Sequence, residues 1–182
     1  LGCYPGWSLC RFTYELSGRL CYVYVMFCGK AAHLVDGSPM RFHVLNEARS
    51  LRLDDDQHLR EYVRLYCHCL RGPHGAFAVL ADPALTVKRD EGAALVTAPM
   101  QYADRRFTAT LRVPTSGKKM GLLEMLEDSQ TGEALMPVLL DPPFVRLLDP
   151  ETVAENAVDP LFADGWEDID EARAESLLVL AL

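Results

Sequence analysis

Leu59, Tyr62, Val63, Tyr66 and Leu70 fall three or four residues apart in the middle of the chain, a spacing that places them on one stripe of a helix. Polar residues mark its ends. Asp54, with Gln57 three residues on, has the form of a capping box, and Asp55 and Asp56 add negative charge at the positive pole. Arg71 faces the carbonyl pole, Gly72 offers a left-handed C-cap and Pro73 forbids continuation. The pattern predicts a helix over residues 55–71. The apolar run 76–80 that follows is too short for a second helix and reads as a strand, so the helix is expected to pack on the sheet it feeds.

Around this helix the pattern is that of strands. Residues 12–16 and 20–27 flank Ser17-Gly18 and predict a hairpin whose second strand, apolar throughout, is buried on both faces. Residues 32–35 and 40–45 flank Asp36-Gly37-Ser38-Pro39, and Asp-Gly between apolar runs predicts a second hairpin. Residues 94–100, 107–113 and 122–126 read as three further strands. In the middle one Phe107, Ala109, Leu111 and Val113 alternate with Thr108, Thr110 and Arg112, which predicts a sheet with one covered face. Residues 135–140 suggest another strand, confined to an edge by Pro137. A connector follows. The segment 168–182, with Asp168 as N-cap, Glu171 at the capping-box position and Ile169, Ala172, Ser176, Leu177 and Leu180 as an apolar stripe, predicts a closing helix. The expected organisation is a loose lead-in over 1–11, a domain over 12–140, and a connector with a C-terminal docking helix over 141–182. The expected class is α+β, with one long amphipathic helix on a mainly antiparallel sheet.

Composition narrows the function classes. A chain of 182 residues, 49% hydrophobic and 24% charged, can bury a core without disulfides. Its net charge of −8 repels nucleic-acid phosphates and anionic lipid, so neither nucleic acid nor a membrane is the expected partner. The apolar run 20–28 is far below the ~20 residues that span a bilayer. Arg19, that run and Gly29-Lys30-Ala31-Ala32 mimic a secretory signal. Its Tyr, Val and Phe content, with Glu15 upstream, favours a strand. Six cysteines inside apolar patterns read as cytoplasmic thiols.

Chemistry-bearing clusters are few. Cys67, His68, Cys69 and His74 are the densest set of ligand types, but Cys-x-Cys on a helix splays its sulfurs about 200° apart, so no metal and no cofactor is expected. Neither a glycine-elbow nucleophile nor a phosphate-cradling glycine loop occurs in the sequence. What remains is a surface. Arg60, Arg64, His68 and Arg71, with His74 just beyond, form a basic stripe on an acidic chain. The stripe is either a solvated face, with Glu61 paired to Arg64, or a docking site for an acidic protein or a small anion. A non-enzymatic binding or protein-interaction module is the expected function. The alternative is a small pocket enzyme with a polar cavity between helix and sheet, lined by His43, Tyr102 and Asp104.

The run Tyr62-Val63-Arg64-Leu65-Tyr66-Cys67, continuing from Leu70 through Arg71-Gly72-Pro73-His74-Gly75-Ala76-Phe77, resembles a segment of uncharacterised bacterial proteins in which an aromatic-rich helix ends in Arg-Gly and enters a strand. The resemblance covers residues 62–77 alone, and it implies a bacterial source but no activity. In topology the expected helix and meander look like the cystatin-like and nuclear-transport-factor-like folds, an analogy that implies an architecture and not a function.

Overall fold

The computed structural model describes residues 1–16, 19–35, 39–48, 51–72, 75–80, 85–102, 105–128 and 146–147. The strand expected over 135–140 and the closing helix over 168–182 lie outside the described residues.

The N-terminal hairpin forms as its pattern predicts. Strand β1 (Ser8–Leu16) pairs antiparallel with β2 (Arg19–Cys28), in register from Ser8↔Phe27 to Leu16↔Arg19. Strand β3 (Ala31–Val35) adds to the other edge of β2. Because neighbouring strand residues point to opposite faces, Tyr24 and Met26 enter the main core. Val25 turns the other way, with Phe12, into a smaller cluster flanked by Cys10, Phe27, Ala32 and Leu34. Over residues 24–26, β2 is thus buried on both sides.

The second hairpin does not form. Pro39–Ala48 is a helix, α1. Its first residue is a proline, whose fixed φ suits the first helical position and whose missing N–H is not needed there. In a strand, Met40, Phe42 and Val44 would share a face. Here Phe42 and Leu45, three residues apart, are buried, while Met40 and Val44 are exposed at 59% and 46%. Among the described residues there are therefore two helices, α1 standing where the sequence suggested a strand hairpin.

The second helix, α2, runs Asp56–Cys69. Its N-cap is Asp55 rather than Asp54, accepting the His58 N–H at 2.7 Å. Its end also differs from the expectation. Leu70 is the C-cap in an extended conformation, its N–H reaching the Tyr66 and Cys67 carbonyls. Gly72 does not turn left-handed but belongs to a two-residue strand, β4 (Arg71–Gly72), which pairs with β5 (Gly75–Val79). The apolar Leu70 docks in the core, and an extended cap lets it do so while the chain reverses. All five residues of the expected stripe are buried, joined by Leu65, Cys67 and Cys69, so the buried arc is about 200° wide at 100° per residue.

A second antiparallel sheet covers the other side of α2. Strand β6 (Thr86–Asp90), mostly exposed and without an apolar alternation to announce it, pairs with β7 (Ala93–Tyr102). Strand β7 also pairs with β5 and, along its whole length, with β8 (Arg105–Pro114). Phe107, Ala109, Leu111 and Val113 of β8 are buried, as their alternation predicts. Strand β9 (Glu124–Asp128) closes the order β4-β5-β7-β8-β9, with a register shift at Thr110/Leu111. Strand β10 (Arg146–Leu147) returns to the first sheet and pairs with Tyr22 and Cys21 of β2.

One buried polar network ties these layers together. The Tyr4 hydroxyl donates to Asn46 Oδ1. Asn46 Nδ2 donates to the Tyr62 hydroxyl at 2.9 Å and to the Met120 carbonyl at 3.1 Å, and Tyr62 donates to the Gly121 carbonyl at 2.6 Å. Every member has a partner, the condition under which a buried polar network rigidifies a core. The lead-in expected to be loose is part of this arrangement. Cys3, Tyr4 and Trp7 are buried in the main core, and apolar surface of that size is not left in water when a complementary face is available.

Candidate functional site

Helix α2 leaves one narrow arc outside the core, and Gln57, Arg60, Glu61, Arg64 and His68 lie on it. Here the 3.6-residue period gathers the sequence's basic stripe, but the side chains do different things.

Glu61 does not pair with Arg64. Its carboxylate accepts the Gly2 N–H at 2.9 Å and the Cys3 N–H at 2.6 Å, while the Cys3 carbonyl accepts the Arg52 N–H at 2.8 Å. A Cβ on residue 2 would stand 3.0 Å from both Glu61 Oε2 and His58 Cδ2, so glycine permits this close approach. Burial, reinforced by the Glu61 charge, pushes the Cys3 thiol far up, which makes it an inert core thiol rather than a nucleophile.

Arg60 reaches off the helix to the residue before β6, its Nε donating to the Leu85 carbonyl at 3.3 Å. Next to it Arg89 of β6 donates to Asp56 Oδ1 at 3.0 Å and to the Leu53 carbonyl at 3.2 Å. Arg64 makes no hydrogen bond or ion pair among the described residues, and its Nε is shielded from solvent. A guanidinium stays charged at any working pH, so among the described residues this is a half-buried cation without a counter-charge.

His68 is not part of a cationic face at neutral pH. Its Nε2 shares a hydrogen bond with the Tyr24 hydroxyl at 2.7 Å, with the rings 5.2 Å apart. Burial, with Arg11 adding positive charge nearby, lowers its pKa to about 4. Tyr24 is pushed up by burial and stays a neutral phenol. The pair joins α2 to the first sheet. The side chain of Arg71, and all of His74, lie outside the described residues. Of the expected stripe, the structure brings together Arg60 and Arg64 as cations with neutral His68 beside them.

His43 and Tyr102 of the pocket alternative are not brought together around the void beneath α2. His43 of α1 stands 3.4 Å from Glu47 one turn on, and Tyr102 stacks on Phe77 with centroids 4.3 Å apart and planes at 9°. Asp104 lies outside the described residues. The void is about 20 Å³, lined by Tyr66, Cys67, Leu70, Phe77, Met100, Leu111 and Leu123. Neither His43 nor Tyr102 lines it, and its size is that of roughly one water.

Asp54, Asp55 and His58 have donor atoms within 4.8 Å of one another. Their contacts are those of a helix start: His58 Nδ1 is shared between Asp54 at 2.9 Å and Asp55 at 3.1 Å. The His58 bond holds the Asp54 carboxyl below the usual range. Cys67 and Cys69 are buried thiols outside any disulfide, and burial pushes the Cys69 thiol far up.

Sequence reasoning missed Tyr24, Arg11 and the Glu61 clasp. The only signal for Tyr24 was a tyrosine on the core-facing phase of an otherwise apolar strand, a position where a phenol needs a partner. No family model, curated protein or solved structure matches this chain. Among the described residues no helix is long and apolar enough to cross a membrane.

Proposed function

We propose that this protein is a non-enzymatic binding module, of a bacterial cytoplasm, that receives an acidic protein or a small anion on the Arg60–Arg64 face of α2. The observation that carries this reading is Arg64: its helical neighbour Glu61 is engaged by two backbone N–H groups, so the guanidinium keeps its full charge. Arginine suits the role because its planar fork holds a carboxylate or phosphate by two bonds. Arg60 extends the face one turn toward the start of the helix. The enzyme alternative has less support, since the void under α2 is apolar and about 20 Å³. That small void also gives no support to a polar cavity between helix and sheet.

The test is binding of a fluorescent deca-glutamate peptide, and separately of inorganic phosphate, at low salt to the native chain and to the double variant Arg64→Glu, Arg71→Glu. Saturable binding of either probe that the reversal abolishes, with melting unchanged, supports the proposal. Equal binding by both proteins, or none by either, overturns it.

A further inference from the structure

At Tyr24 the first sheet presents a row of three side chains on one face. Arg11 of β1 and Val35 of β3 are its register partners on the two edges, and residues directly opposite in antiparallel strands share a face with Cβ atoms about 5 Å apart. The row runs from the core outward: Val35 and Tyr24 are buried, and Arg11 is exposed. This order follows from what each edge packs against. Helix α1 lies against β3, and its Phe42 meets Tyr62 and Tyr66 on the side of α2 turned away from the open arc. The β1 edge therefore borders that arc. There Tyr24 is joined to His68 at 2.7 Å, and Arg64 stands one turn before His68, about 6 Å along the axis and about 40° around it. The Arg11 guanidinium hydrogen-bonds Tyr24 and adds positive charge beside His68. Two guanidiniums, one on a strand and one on a helix, thus flank the neutral Tyr24–His68 pair. The Arg64 Nε is moreover a solvent-shielded donor with no acceptor among the described residues, an exception that calls for one.

We infer that Arg11 and Arg64 together hold one compact tetrahedral dianion, a phosphate group, between β1 and α2 beside the Tyr24–His68 pair. This rests on the cationic face being a binding site, and it adds a second anchor on another element and names the ligand class. A carboxylate carries one charge and neutralises one guanidinium. A phosphate group carries close to two at neutral pH and directs its oxygens several ways, so a fork from each side can take it. Arg11 can do so while bonded to Tyr24, because a guanidinium has five N–H donors. A small group also suits the half-buried position of Arg64 better than the broad surface of an acidic protein does.

The experiment titrates the native full chain and the single variants Arg11→Gln, Arg60→Gln and Arg64→Gln by calorimetry at low salt and about pH 7.5, where phosphate is mainly a dianion. The probes are inorganic phosphate and phenyl phosphate, with deca-glutamate as a control. Arg11→Gln and Arg64→Gln are each expected to bind phosphate at least tenfold more weakly than the native chain, the loss of one charge-assisted contact, and Arg60→Gln within about threefold of it. Should a Gln variant melt early, Arg11→Lys or Arg64→Lys, which keeps the charge without the fork, is expected to bind at least threefold more weakly than the native chain, and native affinity in its place overturns the inference. Tighter binding of phenyl phosphate than of inorganic phosphate assigns the group to a phosphate ester and the reverse order assigns it to the free ion, and both support the site. Loss in Arg64→Gln with native affinity in Arg11→Gln overturns the inference and leaves the face of α2 as a binding site, as does binding of deca-glutamate without either phosphate. Equal loss in all three arginine variants is a general effect of charge and also overturns it. No binding of any probe by the native chain overturns both the inference and the reading on which it rests.

Discussion

Glu61 accepts the backbone N–H of Cys3 at 2.6 Å, and this contact, 58 residues apart in sequence, removes the partner that helical spacing would give Arg64. Replacing Glu61 by Ala leaves the Gly2 and Cys3 N–H groups without an acceptor. A charge-assisted bond of this kind is worth about 1.5–3 kcal/mol, so thermal unfolding of Glu61→Ala should begin well below that of the native chain. Glu61→Gln should lose less, since an amide oxygen still accepts one bond.

His68 sets a pH dependence. Its pKa is about 4 in the folded chain against an ordinary 6.5, so between these values the unfolded chain binds a proton that the folded chain does not. Stability from this group is complete above about pH 6.5 and is lost as pH falls toward 4, by at most roughly 3 kcal/mol. Denaturant midpoints measured from pH 7 to pH 4 should fall, and His68→Gln should flatten the fall in that window. An identical slope in both proteins would contradict the Tyr24–His68 burial.

The buried and open sides of α2 should differ sharply. Tyr66 is 2% exposed and packs its ring 4.7 Å from Phe42, so Tyr66→Ala should lose about 3–5 kcal/mol. Arg60→Ala removes one long hydrogen bond at the surface and should lose no more than about 1 kcal/mol. Equal melting shifts would mean that the faces are reversed.

Gly121 and Gly29 both sit at positive φ, 75° and 59°, but only one is enclosed. A Cβ at Gly121 would lie 2.6 Å from Asn46 Nδ2 and 2.7 Å from the Tyr62 hydroxyl, whereas one at Gly29 meets nothing within 4 Å. Gly29→Ala should cost about 1–2 kcal/mol for the backbone alone. Gly121→Ala should cost more, because it also displaces the buried network. Comparable melting temperatures would contradict that enclosure.

The elements that sequence pattern reached are those whose apolar period is set by a face they bury: α2, the β1–β2 hairpin, and β8 with its Phe107 to Val113 alternation. It failed where two periods fit a short segment. Phe42 and Leu45 satisfy a helix, Met40, Phe42 and Val44 satisfy a strand, and only the packing of Phe42 against Tyr66 and Tyr62 decides between them. Strand β6 was invisible because edge residues Lys88, Arg89 and Asp90 are exposed and leave no period. Of the candidate site, the basic stripe was legible from helical spacing. The neutrality of His68 and the diversion of Glu61 were not, since both depend on residues at least 44 positions away.

The most direct measurement on the cationic face is the side-chain Nε–Hε resonance of Arg64, followed by NMR while deca-glutamate is added to the native chain at about 0.05 M and about 0.5 M salt. Over that range the screening length falls from about 14 Å to about 4 Å. A saturable shift of the Arg64 signal at low salt that weakens strongly at high salt is the expected result. An Arg64 signal that does not move, or moves no more than that of Arg112, which is already 3.6 Å from Glu124, would contradict binding at this face.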